Sequence, residues 1–277
     1  MRMDVLICHI SLMYLALNSI YGFMWIAFMM QQQTQWDDKQ LQFVAAMQRY
    51  EDCWAYLFFN KIVSWMNISL QIFLVILAVR LDIGIGWHIF AVVVAFVLAD
   101  LVSGLVHLYM DHNDHYASVV GPFIAAFHLH HDTPRYTDRS LIHVYVDESG
   151  SKQWLVVFLI VFTFLFLFTT TPPLLLCIGA YFAVFSSLSE LSHYLCHNSS
   201  AKTVRLLQRV WILLPKKHHM QHHRVDNVNY AFLNGISDPL INLIARKFCS
   251  GYRSGTELHT ALYQHNRQAT NRSSSLI

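Results

Sequence analysis

Long apolar runs separated by polar ones organise this chain, and the length of each run predicts what it becomes. Val5 to Met30 is apolar behind a single Arg and lacks a small-x-small cleavage site, which favours a retained membrane span over a cleaved signal peptide. Gln31 to Lys61 is mixed and polar, with an amphipathic stretch from Leu41 to Tyr50. Ile62 to Val79 reads as a second span, Arg80, Asp82, Gly84 and Gly86 as a short loop, and Trp87 to about Val106 as a third span. A polar segment from His107 to Lys152 follows, and then Trp154 to Leu188 is apolar again. Broken by Pro172-Pro173 and too long for one span, that run predicts two short helices of about 17 residues each. Thr203 to Leu214 alternates basic and apolar residues, as an interfacial helix does. From Ser254 the tail is rich in Ser, Thr, Asn and Gln and is expected to be disordered. The pattern therefore predicts an all-α integral membrane protein of about 4–5 transmembrane helices. Its expected organisation is a span and polar linker over 1–61, a membrane domain over 62–250 and a tail over 251–277.

Composition agrees and narrows the class. Hydrophobic residues make up 55% of the 277 positions and charged residues only 13%, against about 25% charged in soluble domains. A water-soluble globule, a disordered chain and a coiled coil are all excluded on that ground. Five cysteines (Cys8, Cys53, Cys177, Cys196, Cys249) show no C-x-x-C spacing and read as reduced thiols. The net charge of +2 is unevenly placed, since basic residues predominate from Asn198 onward and acidic ones before it. A basic flank beside apolar spans predicts the cytosolic side and contact with lipid headgroups; nucleic-acid binding is not expected. The hairpin at Pro172-Pro173 brings the tract after Glu190 to the same side as His107–Lys152. Sugar on the sequons at Asn198 or Asn271 would overturn this orientation.

The unusual component is histidine: 17 of them, as many as Asp and Glu together. Most lie between His107 and His223, on the inferred cytosolic side, in four clusters. The first is His107-x-x-x-Asp111, continuing the third span; Asp100, His107, Asp111 and His115 share one helical face there. The second is His128-Leu129-His130-His131, followed by His143 with Asp147. The third is His193-x-x-x-His197, and the fourth is Lys217-His218-His219-x-x-His222-His223. Imidazoles at i,i+3 or i,i+4 on a helix can grip one ion, and neutral imidazole suits iron, copper and zinc. Such a surplus of ligands without thiolates argues for two metals and favours iron, with copper and zinc left open. The predicted ligands are His107, Asp111, His130, His131, His143, His193, His197, His218, His219, His222 and His223. A lone pair such as His193 and His197 is more often interfacial, but four clusters on one membrane face make coincidence improbable. His9, His88, His259 and His265 are read as non-ligands, and His112, His115 and His128 are left open. Asp100, a carboxylate inside a span, is a catalytic-site candidate because such a charge is costly unless paired; holding His107 or another ligand imidazole in one tautomer would be its role.

The strings Ala99-Asp100-x-x-Ser103-Gly104-x-x-His107 with Asp111, Phe127-x-x-His130-His131-x-x-Pro134 and Leu214-Pro215-x-Lys217-His218-His219-x-x-His222-His223 resemble the plasmanylethanolamine desaturase family. Asn229-Tyr230, the segment from Gly235 to Leu240 and the His193/His197 pair match it too, so the likeness runs from about Val92 to Ile244. That family includes a bacterial light-response protein and plant plastid desaturases acting on phosphatidylglycerol. The resemblance implies a di-iron centre that uses O2 to remove two hydrogens from a lipid chain, with electrons from cytochrome b5 and its reductase, or from ferredoxin. It implies a membrane phospholipid as substrate, an ether phospholipid first. One departure stands out: where the family has a histidine this chain has Ser140, and His143 with Asp147 looks like the family's ligand motif displaced by three residues. Two other readings stay open: a lipid hydroxylase with the same ligands, and a non-catalytic metal-binding membrane protein. In a eukaryote the endoplasmic reticulum is expected, since spans of about 17 residues suit its thinner bilayer.

Overall fold

The computed structural model describes residues 2–134, 139–253 and 255–274, without the side chains of 2–23, 26, 27 and 269–274. Helix α1 is unbroken from Arg2–Asp52. The linker expected after Met30 is thus helical, because 31–52 contains neither Gly nor Pro and is rich in Gln, a good helix former. The span expected over Val5 to Met30 falls mostly on side chains outside the described residues. The amphipathic stretch is used as predicted, burying Phe43, Ala46 and Met47 against Ile124 and Ala125.

Helices α2 (Trp54–Val79) and α3 (Ile85–His112) are joined by a short turn at Gly84, whose φ of 78° suits glycine, and α7 packs against both. Next come α4 (Gly121–Asp132), α5 (Leu141–Gly150), α6 (Gln153–Phe168) and α7 (Pro173–Asn198). Then follow α8 (Lys202–Arg209), α9 (Lys216–His222), α10 (Asp238–Phe248), a 3-10 helix (Thr256–Thr260) and α11 (Ala261–Ser274); the described residues contain no strand. Among the described residues three helices, α2, α3 and α7, are long and apolar enough to cross a membrane. A fourth crossing would be the α5–α6 pair, which bends by 83° at its break. The expectation of two short helices around Pro172-Pro173 is half corrected. Helix α6 has 16 residues, but α7 has 26 and runs on past Leu188, burying Glu190, His193, Tyr194 and His197 on its inner face. The length argument for a thin bilayer therefore does not hold.

Small residues set the packing. Ala91, Ala95 and Ala99 lie one turn apart on the buried face of α3 and let α7 approach closely. Phe162 of α6 packs on Gly179 so tightly that a Cβ there would collide with the ring. Backbone freed at the α5–α6 break is recovered by Asn67, whose amide donates to the carbonyls of Ser149 (2.8 Å) and Lys152 (3.1 Å). Helices α3 and α7 run in parallel and end together, and α4 and α9 lie at that same end. There α8 shows Leu206 and α10 shows Leu240, Leu243 and Phe248 on the surface, beside Arg205, Arg209, Arg246 and Lys247. Both have the amphipathic character of helices lying at an interface.

The tail differs from expectation, being helical from Thr256 with a few anchors holding it down. Tyr263 packs edge-on to Phe43 at 5.9 Å and its hydroxyl donates to Glu51. Thr256 Oγ1 donates to the Asp111 carbonyl at 2.6 Å. His259, buried, meets the Tyr116 hydroxyl at 2.8 Å, and Tyr116 also bonds to His128 Nδ1 at 2.7 Å. Because His128 Nε2 faces the Met110 carbonyl, it must donate there, so Nδ1 accepts from Tyr116, whose oxygen in turn accepts from His259. Composition alone reads this segment as unfolded, since its four or so buried anchors are diluted by polar residues.

Candidate metal centre

Two groups of buried ligand atoms form where α3, α4, α7 and α9 meet. The first is His130, His193, His197, His219 and His223; the second is His107, Asp111, His131 and His222. Within each group the ligand atoms lie within 4.8 Å of one another. The division follows from helix geometry. Consecutive residues on a helix point about 100° apart, so His130-His131 and His222-His223 each give one member to either group. Residues four apart share a face, so His193 and His197, and His219 and His223, stay together.

In the first group the ring nitrogens converge. His193 Nε2 is 2.9 Å from His219 Nε2 and 3.2 Å from His197 Nε2, and His223 Nε2 is 3.2 Å from His219 Nε2. His130 fits among them, with ring centroids 4.7 Å from both His193 and His197. In the second group Asp111 Oδ2 is 3.3 Å from His107 Nε2 and 3.4 Å from His222 Nε2, while its Oδ1 meets His131 Nε2 at 3.0 Å. The groups abut, with the His223 ring centroid 5.1 Å from that of His131 and 5.6 Å from that of His222.

Backbone carbonyls fix which nitrogen carries the proton. His107 Nδ1 lies 2.7 Å from the Tyr230 carbonyl, and His222 Nδ1 lies 2.9 Å from that of Val228. A carbonyl can only accept, so both Nδ1 atoms donate, and each Nε2 presents a lone pair to the centre. His107 Nε2, His222 Nε2 and Asp111 Oδ2 are fully buried and make no hydrogen bond. Three such acceptors aimed at one point are costly in a protein interior unless a cation joins them. Burial also favours the neutral form of His130, His219, His222 and His223. Desolvation, with the neighbouring imidazoles adding to it, holds His130 and His219 well below the ordinary histidine value. The same causes push His222 to about 3 and His223 to about 2. Neutral, oriented and unshared nitrogen donors fit metal ions, and two adjoining sets fit two.

Every member of both groups is among the ligands predicted from the sequence, and two predicted ligands stand outside. His143 sits on the exposed first turn of α5, its Nδ1 2.7 Å from Ser140 Oγ. Ser140 is the N-cap there and accepts from the His143 backbone N–H, and Asp147 pairs with Arg139 at 3.0 Å. The structure thus brings neither His143 nor Asp147 into a ligand group: His143 meets its N-cap Ser140 and Asp147 meets Arg139. His218 faces away and bonds Asp238 Oδ2 at 2.6 Å, while Asp238 Oδ1 accepts from the Ala231 backbone. Asp100 also has a different partner from the one expected. It is fully buried, and its oxygens accept from Asn234 N, Gly235 N, Ser237 N and Ser237 Oγ at 2.6–3.0 Å. Asp100 clamps the 234–237 loop, and the imidazole it was expected to hold is held by Tyr230.

Of the open histidines, His128 is the relay to Tyr116, His112 bonds the Leu108 carbonyl, and His115 lies exposed beyond the end of α3. Residues the sequence did not single out are Phe232, Val228 and the ion pair Lys152–Glu190 (3.1 Å), while Tyr230 stood out only within Asn229-Tyr230, without its role. Phe232 and Val228 act through ring stacking or main-chain atoms and leave no motif. Lys152 and Glu190 were legible by the rule applied to Asp100, as charged residues bordering apolar runs.

A search of the curated proteins and of the solved structures returned no match. A family model described as the lipid desaturase domain matches residues 96–247. That interval covers more than half of the chain and contains every member of both groups, and the chain belongs to the lipid desaturase domain family.

Proposed function

We propose that the protein is a membrane di-iron lipid desaturase that uses O2 to introduce a double bond into a phospholipid chain. The leading reaction is formation of the vinyl-ether bond of a plasmalogen from an ether phospholipid. The observation that carries the reading is the pair of abutting, buried ligand groups at the ends of membrane-type helices, inside a lipid desaturase domain. The five-histidine group would hold one iron and the His107, Asp111, His131 and His222 group the other. Nine nitrogen and oxygen donors without a thiolate exceed what tetrahedral zinc uses and suit iron. Iron bound there would supply, with O2, the oxidising power that an unactivated C–H bond requires.

The remaining work belongs to the chain itself. The carbonyls of Tyr230 and Val228 keep His107 and His222 in the ligating tautomer. Asp111 adds the one negative charge of the two groups, offsetting cationic charge in a buried space. Phe127 and Phe232, stacked at 5.8 Å, cover His107 and keep water from it. The sum balances as a saturated chain, O2, two electrons and two protons giving the unsaturated chain and two waters. The electrons are assigned to cytochrome b5 and its reductase, or to ferredoxin. The basic excess after Asn198 supports a cytosolic orientation, in the endoplasmic reticulum membrane of a eukaryote.

The test is iron content with lipid analysis. Purified protein is expected to hold about two irons per chain, one for each group. Cells expressing it are expected to gain vinyl ethers, and the His219→Ala form to gain none. Zinc alone under iron-replete conditions, or undiminished product from His219→Ala, would refute the reading.

A further inference from the structure

Two cavities border the histidine groups, and their walls differ. One, of about 220 Å3, reaches His130 and His193 and is lined with charge: Glu51, Glu148, Arg139 and Arg267. The other, of about 200 Å3, is walled mainly by Val106, Met110, Phe123, Phe127 and Phe232. Phe232 separates this second cavity from both groups. Its ring lies flat on the His193 imidazole, with centroids 4.0 Å apart and planes 8° apart, and 4.4 Å from that of His107. One side chain thus touches a member of each group. It is held from behind, because the Phe232 backbone N–H donates to Ser103 Oγ, which donates to the Asp100 carbonyl.

Two further features point to an occupant. Val120 and Trp154 line the same cavity and are 39% and 38% exposed, so it continues to the apolar outer face of the molecule. Its charged wall is the α5–α6 break, where Lys152 and Gln153 face it beside Glu190, with Ser103 and Tyr56 as further polar lining. Lys152 and Glu190 form an ion pair with each side chain about nine-tenths buried, and neither belongs to a ligand group. Burying such a pair costs desolvation energy that the metal groups do not explain.

We propose that this cavity binds the aliphatic chain of a lipid that arrives from the bilayer side past Val120 and Trp154, and that Phe232 is the specificity-determining residue that stops the chain against the two histidine groups. A saturated chain offers no polar atom, so only an apolar wall can hold it beside the reacting carbons. The oxygen joining chain to glycerol meets the wall of Lys152 and Gln153, which sets how far the chain advances. This inference rests on the lipid desaturase reading of the centre.

Photo-crosslinking tests it in the full-length protein in cells. A long-chain alkylglycerol carrying a diazirine and a clickable alkyne is supplied, the cells are irradiated, and labelled peptides are mapped. Label is expected on the segments bearing Phe123, Phe127 and Phe232. Val106→Trp, which fills the cavity, should lower it by roughly tenfold or more at unchanged iron content. Val120→Trp repeats the block at the exposed rim, where no core clash arises, and is expected to give the same loss. Phe232→Ala should lower vinyl-ether product, or spread the double bond to carbons further from the oxygen, while labelling of Phe123 and Phe127 persists. Labelling indifferent to both tryptophans in active, iron-loaded protein would overturn the chain site and leave the desaturase reading standing. Labelling blocked as expected in a chain that binds no iron would keep the site and remove that reading.

Discussion

Replacing Asp100 separates two roles that a carboxylate inside a span can play. Its two oxygens accept four hydrogen bonds from residues 234–237 with no exposure to solvent. Hydrogen bonds to a charged group are worth about 1.5–3 kcal/mol each, and they do not add when they share one acceptor. In Asp100→Asn one oxygen remains, and the amide nitrogen faces a backbone N–H that cannot accept. The expected cost is about 2–4 kcal/mol, rising in Asp100→Ala to about 3–5 kcal/mol, typical of an uncompensated buried group. At roughly 2–4 °C per kcal/mol for a domain of this size, Asp100→Asn should melt about 5–15 °C lower. The loop carries Asn234 and Ser237 and sits directly after Phe232, so iron content and product should fall with the melting temperature. The assay is thermal unfolding of detergent-solubilised full-length protein, with iron measured on the same sample. If Asp100→Asn melted like the wild type and kept its iron but formed no product, the clamp argument would be wrong, and the carboxylate would take part in the chemistry.

Other outcomes follow from the same geometry. His222→Ala removes a ligand at the second group and should release iron and abolish product, whereas His143→Ala removes only an exposed contact with Ser140 and should leave iron content and rate within about twofold. Chelation should remove activity, and ferrous iron should restore it where zinc does not; restoration by zinc alone would count against the ligand argument. Deleting residues from Thr256 onward should destabilise the protein by several kcal/mol on the order of a lost buried cluster, read as new protease sensitivity around Asp111 and Tyr116, since Thr256, His259 and Tyr263 are buried against them and α1. Docking of that tail should also weaken in acid. Burial lowers the pKa of His259, so the undocked state takes up a proton first as pH falls below about 6.5. Protection of the 256–263 amides, taken relative to their intrinsic exchange rates, should then fall in mild acid and stay constant above neutrality, and the His259→Gln form should lose that pH dependence.

Much of this molecule is legible in the chain because it depends on local spacing. Apolar run lengths mark α2, α3 and the helices around Pro172-Pro173, and the surplus of histidine at their ends marks the site. The i,i+4 pairs His193/His197 and His107/Asp111 need only helix periodicity to be placed on one face. The structure decides what spacing cannot. His218 and His219 are neighbours in sequence, yet one enters a ligand group and the other meets Asp238, because α9 turns about 100° between them and only the fold says what lies on each side. His143 looks like a ligand by type and spacing and is a capped, exposed residue, because α5 carries it away from the centre. Asp100 and His107 share a helical face, but their partners, the 234–237 loop and Tyr230, come from more than a hundred residues further along. Sequence alone thus determined the apolar helices α2 and α3, the break at Pro172-Pro173 and the chemistry at the helix ends. Tertiary structure alone decided how the donors divide into two sets and which ring, Phe232, stands between them and the apolar cavity, because those contacts join segments that no local period connects.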